Sequence, residues 1–405
     1  MLGTIFALVT LVAEMGSSES PPNEEPGLGA EIGLFKSGVD AVEVGRGNTS
    51  IDDPAPDVLD DDEDGDGEPD PRRGEPFVAP IPFRSPAVGW GGALAGGYIF
   101  RIDPKDRDSP PSTVALAGFG TENESFGGIL TGRFHLWEDL WRVNTGFGAL
   151  QINYDFYGIG SGAGDQGTSF EIQADTVIAS LKPLRRLPEP VRLFDAPIYL
   201  GPGLRITRTE NDVDGVLPPG VSGSELDETR IGLGVHLQRD SRDESFFPTS
   251  GALSDADYVI HDEQLGSDFT YQTLELHHRQ YHEVREGTVL AGQIVSRFTF
   301  GDPPFSDLAQ HDLRGYERGR YRDDMRVAGE VEIRQQLYWR FAGTVFTGLG
   351  QIAPDFGDFD NDNLLWSAGF GLRFRLTEEN RMNYRADAAW GRDGFEFYFS
   401  LTEAF

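Results

Sequence analysis

The sequence predicts an all-β protein, an antiparallel transmembrane β-barrel of about 16 strands that follows a disordered acidic N-terminal segment. Three observations carry this expectation. From residue 76 onward, apolar and polar residues alternate with period 2 in segments of about nine to fourteen residues, divided by Gly, Asp, Asn and Pro turns. No run of eighteen apolar residues occurs, so a helical membrane protein is excluded, whereas a barrel strand needs only every second side chain to meet lipid. The final segment is amphipathic and ends on an aromatic residue, Phe405.

The chain has 405 residues, a formal net charge of -33 and no cysteine. Its 51 glycines and 28 phenylalanines suit turn-rich β structure with aromatic girdles. The acidity argues against nucleic acid, because no basic stripe is present to neutralise phosphates. It also argues against binding anionic lipid surfaces by charge. The absence of cysteine is compatible with an oxidising compartment that needs no disulfides.

Met1 to Ala13 form an apolar run, read within residues 1–16 as a signal peptide, although no Lys or Arg precedes it. Residues 17–75 are acidic and rich in Pro, Gly and Ser. Such a segment buries too little apolar surface to offset the entropy of ordering, and reads as a disordered linker. Within it Asp60, Asp62 and Asp64, followed by Gly65, have the alternate spacing of a calcium loop. Arg72 falls near the position where such a loop needs its closing Glu, so the run reads as a solvated stretch of charge and no metal or other cofactor is expected.

The barrel is expected over 76–405, with strands from 77–84 to 395–405 that include 141–153, 168–182 and 197–208. The alternation is clearest at the far end. Trp366, Ala368, Phe370, Leu372 and Phe374 share one face, while Ser367, Gly369, Gly371, Arg373 and Arg375 share the other, as lipid and lumen demand. In the last segment Phe395, Phe397, Phe399, Leu401 and Phe405 fall on the apolar face. Phe399, Leu401 and Phe405 thereby form a candidate C-terminal insertion signal, with Glu403 breaking the face near the membrane edge.

Leu313-Arg314-Gly315-Tyr316 lies between the eleventh expected strand and the last five. It resembles the (V/L)RG(F/Y) motif of the BamA/TamA family, the bacterial surface antigen barrels of the outer membrane. Gln238 to Asp243 with Phe247-Pro248 and Gly251 resembles that family's D-x-R-D…F-P-x-x-G turn. Tyr154 to Gly160 resembles its F-Y-G-I-G turn, Glu332-Ile333-Arg334 its E-x-R, and Arg385-Ala386-Asp387 its R-x-D. Two departures stand out: Gly348 replaces the Asp of the family's F-x-D-x-G strand, and residues 14–75 are too few and too polar to fold as a periplasmic POTRA domain.

The resemblance implies an outer-membrane location and a loop tipped by Arg314 that folds back into the lumen. A guanidinium there needs lumen-facing carboxylates. Glu332 is the first candidate partner and Asp387 the second; the alternative leaves Arg314 and Tyr316 in solvent. Pro76, Pro80 and Pro82 share one parity, so one edge of the first strand lacks several N–H donors. Pro80 and Pro82 therefore mark a candidate gate strand where the barrel closes, or merely lead into the barrel at its rim. His278 and His282 share a strand face about 14 Å apart, too far for one metal, and read as polar lumen or rim residues. Ser161 lacks the glycine frame of a nucleophile elbow, and the chain is not expected to be an enzyme.

The resemblance implies assistance to the insertion or translocation of outer-membrane proteins, with lipid, client barrels and a periplasmic partner as contacts. The alternative is a passive channel or structural barrel that has lost this role.

Overall fold

The computed structural model describes residues 74–106, 109–188, 196–213, 215–244, 247–375 and 383–405. The expected signal segment, nearly all of the linker and the Asp60–Asp62–Asp64 run lie outside the described residues.

The first half of the barrel comprises β1 (Glu75–Ser85), β2 (Gly89–Phe100), β3 (Ser112–Thr121), β4 (Phe126–Leu136), β5 (Trp141–Phe156), β6 (Phe170–Arg186), β7 (Ile198–Val213) and β8 (Asp227–Asp240). It continues through β9 (Gly251–His261), β10 (Tyr271–Arg285) and β11 (Thr288–Gly301). A long connection then carries two short strands, β12 (Ala309–Gln310) and β13 (Arg322–Asp323). The barrel resumes with β14 (Met325–Tyr338), β15 (Phe341–Ala353), β16 (Leu365–Arg375), β17 (Asn383–Gly391) and β18 (Gly394–Leu401). A short helix, α1 (Ser161–Gln166), sits between β5 and β6.

All strands but β12 and β13 close into one antiparallel ring, in which β11 pairs β14 and β1 meets β18. Eleven barrel strands precede the long connection and five follow it, as the sequence predicts. Alternation sets the two faces. On β14, Val331 and Ile333 are exposed to the outside while Glu330, Glu332 and Arg334 are buried within. Exposed aliphatic and aromatic side chains recur around the ring, which is the surface that hydrocarbon requires.

β5, β6 and β7 run three to five residues beyond their expected ends. Asp155, Glu210 and Asn211 in the two upper extensions are polar and still pair in the ladder. A wall that has left the membrane no longer needs an apolar face, so hydropathy misses it.

The last strand corrects the sequence reading. β18 stops at Leu401, where Thr402 takes a left-handed φ of 65°. Residues 402–405 then turn into the barrel instead of continuing along the lipid face. Glu403 and Phe405 are both buried, Phe405 beside Tyr281, Val289 and Ala291. Glu403 therefore does not sit at the membrane edge, and Phe405 does not share the outward face of Phe399.

Candidate functional site

The connection from β11 to β14 folds back on itself. β12 and β13 pair through Ala309↔Asp323 and Gln310↔Arg322, and the His311 N–H donates to the Tyr321 carbonyl at 2.8 Å. This ribbon presents residues 312–320 as a tip, and the Leu313-Arg314-Gly315-Tyr316 motif is on it. Arg314 is buried, so its charge must be met by the wall.

Three carboxylates meet it. Arg314 Nη2 donates to Glu330 Oε1 at 2.6 Å and to Glu332 Oε2 at 2.7 Å, its Nε to Glu330 Oε2 at 3.3 Å, and its Nη1 to Asp387 Oδ2 at 2.9 Å. The guanidinium lies over the Phe346 ring, 3.4 Å from its centroid. A planar fork satisfied on several sides and stacked on an aromatic face is the arrangement that suits arginine and not lysine. Glu332 and Asp387 are the acids expected from the sequence. Glu330, which makes two of the four hydrogen bonds, was not singled out.

Glu330 has a readable cause. It is the direct cross-strand partner of Gly348, the position where the resemblance expects an acid. The carboxylate stands one strand over, and the space at 348 belongs to Leu313. A Cβ built on Gly348 would lie 3.1 Å from Leu313 Cδ2 and 3.0 Å from the Gly329 carbonyl oxygen. Gly348→Asp is therefore expected to destabilise the barrel by about 1–3 kcal/mol, by overpacking Leu313 and adding a fourth acid. Thermal unfolding in detergent checks this; an unchanged midpoint would show that Leu313 can move aside.

The rest of the tip is held by backbone bonds to the closing strands. Tyr398 OH accepts from the Gly315 N–H and donates to the Tyr316 carbonyl, both at 2.9 Å. Tyr316 OH donates to the Trp366 carbonyl at 2.7 Å and accepts from the Arg392 N–H at 3.1 Å. Ser367 Oγ donates to the Arg314 carbonyl. Gly315 needs its φ of 100°, and a Cβ there would sit 2.8 Å from the Trp390 backbone. Leu313 and Tyr316 pack with Val295, Tyr321, Ala328, Ile352 and Leu365. His311 is enclosed beside them, edge-on to Tyr316 and Tyr321, and burial pushes its imidazole down to about 3, so it stays neutral.

The ionic network extends from the tip to the tail. Arg373 donates to Asp387 Oδ1 at 2.6 Å and to Glu403 Oε2 at 2.7 Å. Arg334 donates to Glu332 Oε1 at 2.7 Å and to the Phe405 carbonyl at 2.8 Å. Asn383 donates to the other Glu403 oxygen at 2.9 Å. The Glu332-Ile333-Arg334 and Arg385-Ala386-Asp387 stretches are thus parts of one cluster. The Tyr154–Gly160 turn supports the flank of the ribbon: Phe156 packs edge-on to Phe305 at 5.2 Å, and Tyr157 OH donates to Glu317 at 2.7 Å. Asp240 and Arg242 of the other turn pair with each other at 2.9 Å.

The seam is the second site. β1 pairs with β2 at every position from Glu75 to Ser85, but with β18 only at Arg84↔Phe399. An unbroken ladder to β2 past Pro76, Pro80 and Pro82 requires that the odd residues donate to β2. The prolines then face β18, where they offer no N–H. Arg84, the first residue of that parity after Pro82 that has an N–H, makes the one pairing. Its guanidinium also reaches the Phe397 carbonyl.

His278 and His282 are corrected. His277, between Thr273 and Arg279 in parity, takes the inner face, and the exposed His278, Gln280 and His282 take the outer one.

The Omp85 superfamily domain matches residues 204–405. No curated protein matches the sequence. Among solved structures, BamA from Haemophilus ducreyi lacking POTRA domains 1–3 is similar at 14% identity over 81% of this chain and 70% of that one, with a TM-score of 0.53. CdiB from Escherichia coli is similar at 12% identity over 80% of this chain, with a TM-score of 0.56, and CdiB from Acinetobacter baumannii at 12% over 80%, with 0.54. This chain spans 62% and 59% of those two CdiB chains. At such identities the likeness is one of fold, and it agrees with the matched domain and with the lipid-facing wall. The chain belongs to the Omp85 superfamily and is a β-barrel of the bacterial outer membrane.

Proposed function

We propose that this barrel assists the insertion of client β-strands into the outer membrane at the β1–β18 seam, with the Arg314 loop held in its lumen. The observation that carries this is the seam itself. A ring whose other ladders run for eight or more pairs closes on a single pair, at a strand that lacks several donors on that edge. An incoming strand there meets carbonyl acceptors on β1 and unpaired groups on β18, at the boundary between lumen and lipid. No covalent step is needed; the work lies in lowering the barrier for polar backbone to enter hydrocarbon. The partners this requires are unfolded outer-membrane clients and a periplasmic protein that delivers them.

Depletion of the protein should lower a specific set of outer-membrane barrels in quantitative proteomics. Arg84→Cys with Phe399→Cys, oxidised to lock the seam, should reproduce that loss, and reductant should relieve it. Unchanged barrel levels with altered solute uptake would instead mark a passive channel.

A further inference from the structure

Outward side chains line up in rows across neighbouring strands. One row runs Phe370, Val345, Ile333, Leu290 and then His282. A second runs Trp366, Leu349, Gly329, Ile294 and His278, and continues to Ser254 of β9. Between them lies Ala368, Thr347, Val331, Gly292 and Gln280, followed by Ala252. The aliphatic members of these rows are openly exposed, as a lipid belt requires. β10 therefore presents His278, Gln280 and His282 at levels where β11, β14 and β15 present hydrocarbon.

Hydrocarbon cannot hydrogen-bond these groups, and ionisable side chains on a lipid wall are costly unless something meets them. The protein meets them in part. Ser254 Oγ bonds His278 Nδ1 at 2.9 Å, and Gln280 Nε2 donates to the Gly251 carbonyl at 2.9 Å. His282 makes no hydrogen bond among the described residues. Beside the ridge, the half-buried Ser254 and Ala256 form a low strip that lets another wall approach closely. The described outward positions of β9 to β11 carry no carboxylate. Arg239, in the row of Ser254, is only 8% exposed and does not present its charge.

We propose that two copies of this barrel pair in the membrane through the outer wall of β9 and β10, with the His278–Gln280–His282 ridge of each copy against the other. An imidazole, an amide and a hydroxyl each donate and accept, so the set is complementary to itself. A two-fold contact brings one patch against its own copy. A lipid phosphate only accepts, and would leave the Gln280 carbonyl and an imidazole lone pair unmet. In the ring, β9 and β10 stand nearly opposite β1 and β18, so pairing there leaves both seams open to lipid.

The native chain has no cysteine, so single substitutions give clean cross-links. Gln280→Cys and, separately, Ala256→Cys, treated in intact outer membranes with a short bis-maleimide, are expected to give a band at twice the chain mass. Val345→Cys, on the exposed face of β15, is expected to give none. The full-length triple variant His278→Leu, Gln280→Leu, His282→Leu is expected to run as a monomer in nanodiscs where the native chain runs as a dimer. Each variant is first shown to be folded by its heat-dependent gel shift; if the triple variant fails that check, the cysteine pair decides. The proposal is overturned by no adduct at either position, by adducts only with another protein, or by an equal dimer band from Val345→Cys.

Discussion

Arg314→Glu is expected to expel the loop tip and to lower barrel stability by about 3–5 kcal/mol, the usual consequence of removing one member of a buried ionic cluster. The change places a fourth carboxylate against Glu330, Glu332 and Asp387, all nearly inaccessible to water. The readouts are the temperature of the gel shift in detergent and protease cleavage within residues 312–320. Arg314→Lys should fall between, because it keeps the charge but cannot fork to several acids or stack on Phe346. The double variant Arg314→Glu, Glu332→Arg should recover only part of the loss, since Glu330 and Asp387 still face the new acid. Native heat resistance in Arg314→Glu would show that the cluster does not hold the loop.

Pro80→Val with Pro82→Val is expected to tighten the seam. Each change returns an N–H to the edge of β1 that faces β18 and leaves the ladder to β2 untouched. Two added bonds of about 0.5–1.5 kcal/mol each would slow amide exchange in β1 and β18 by roughly 5- to 150-fold. If the seam admits client strands, the same variant should slow barrel insertion. Unchanged exchange would mean that the strands diverge for a reason other than missing donors.

The alternation carried the ring into view because lipid and lumen impose opposite demands on every second residue. It fails where both faces ask for the same thing. On β10 the inward Glu275, His277 and Arg279 and the outward His278, Gln280 and His282 are all polar. Spacing groups the residues of a face but does not say which face looks out. The tail fails for another reason. Phe405 keeps the parity of Phe399, so the pattern continues on paper, while Arg373 and Asn383 draw Glu403 inward from positions 30 and 20 residues earlier. Glu330 was visible on the polar face of β14, but its place beside Arg314 depends on how far Leu313 enters over Gly348, a packing fact that no local pattern contains.

The single pairing of Arg84 with Phe399 joins residues more than three hundred positions apart. Bringing such distant points of a chain together costs more configurational freedom than any other contact in the ring, and it returns the least. Folding gains little from closing the circle there. The C-terminal wall is instead held by Arg334 and Arg373, which tie β14 and β16 to the chain beyond β18, and by Asn383 of β17, so the seam can form late and reopen without dissolving that wall.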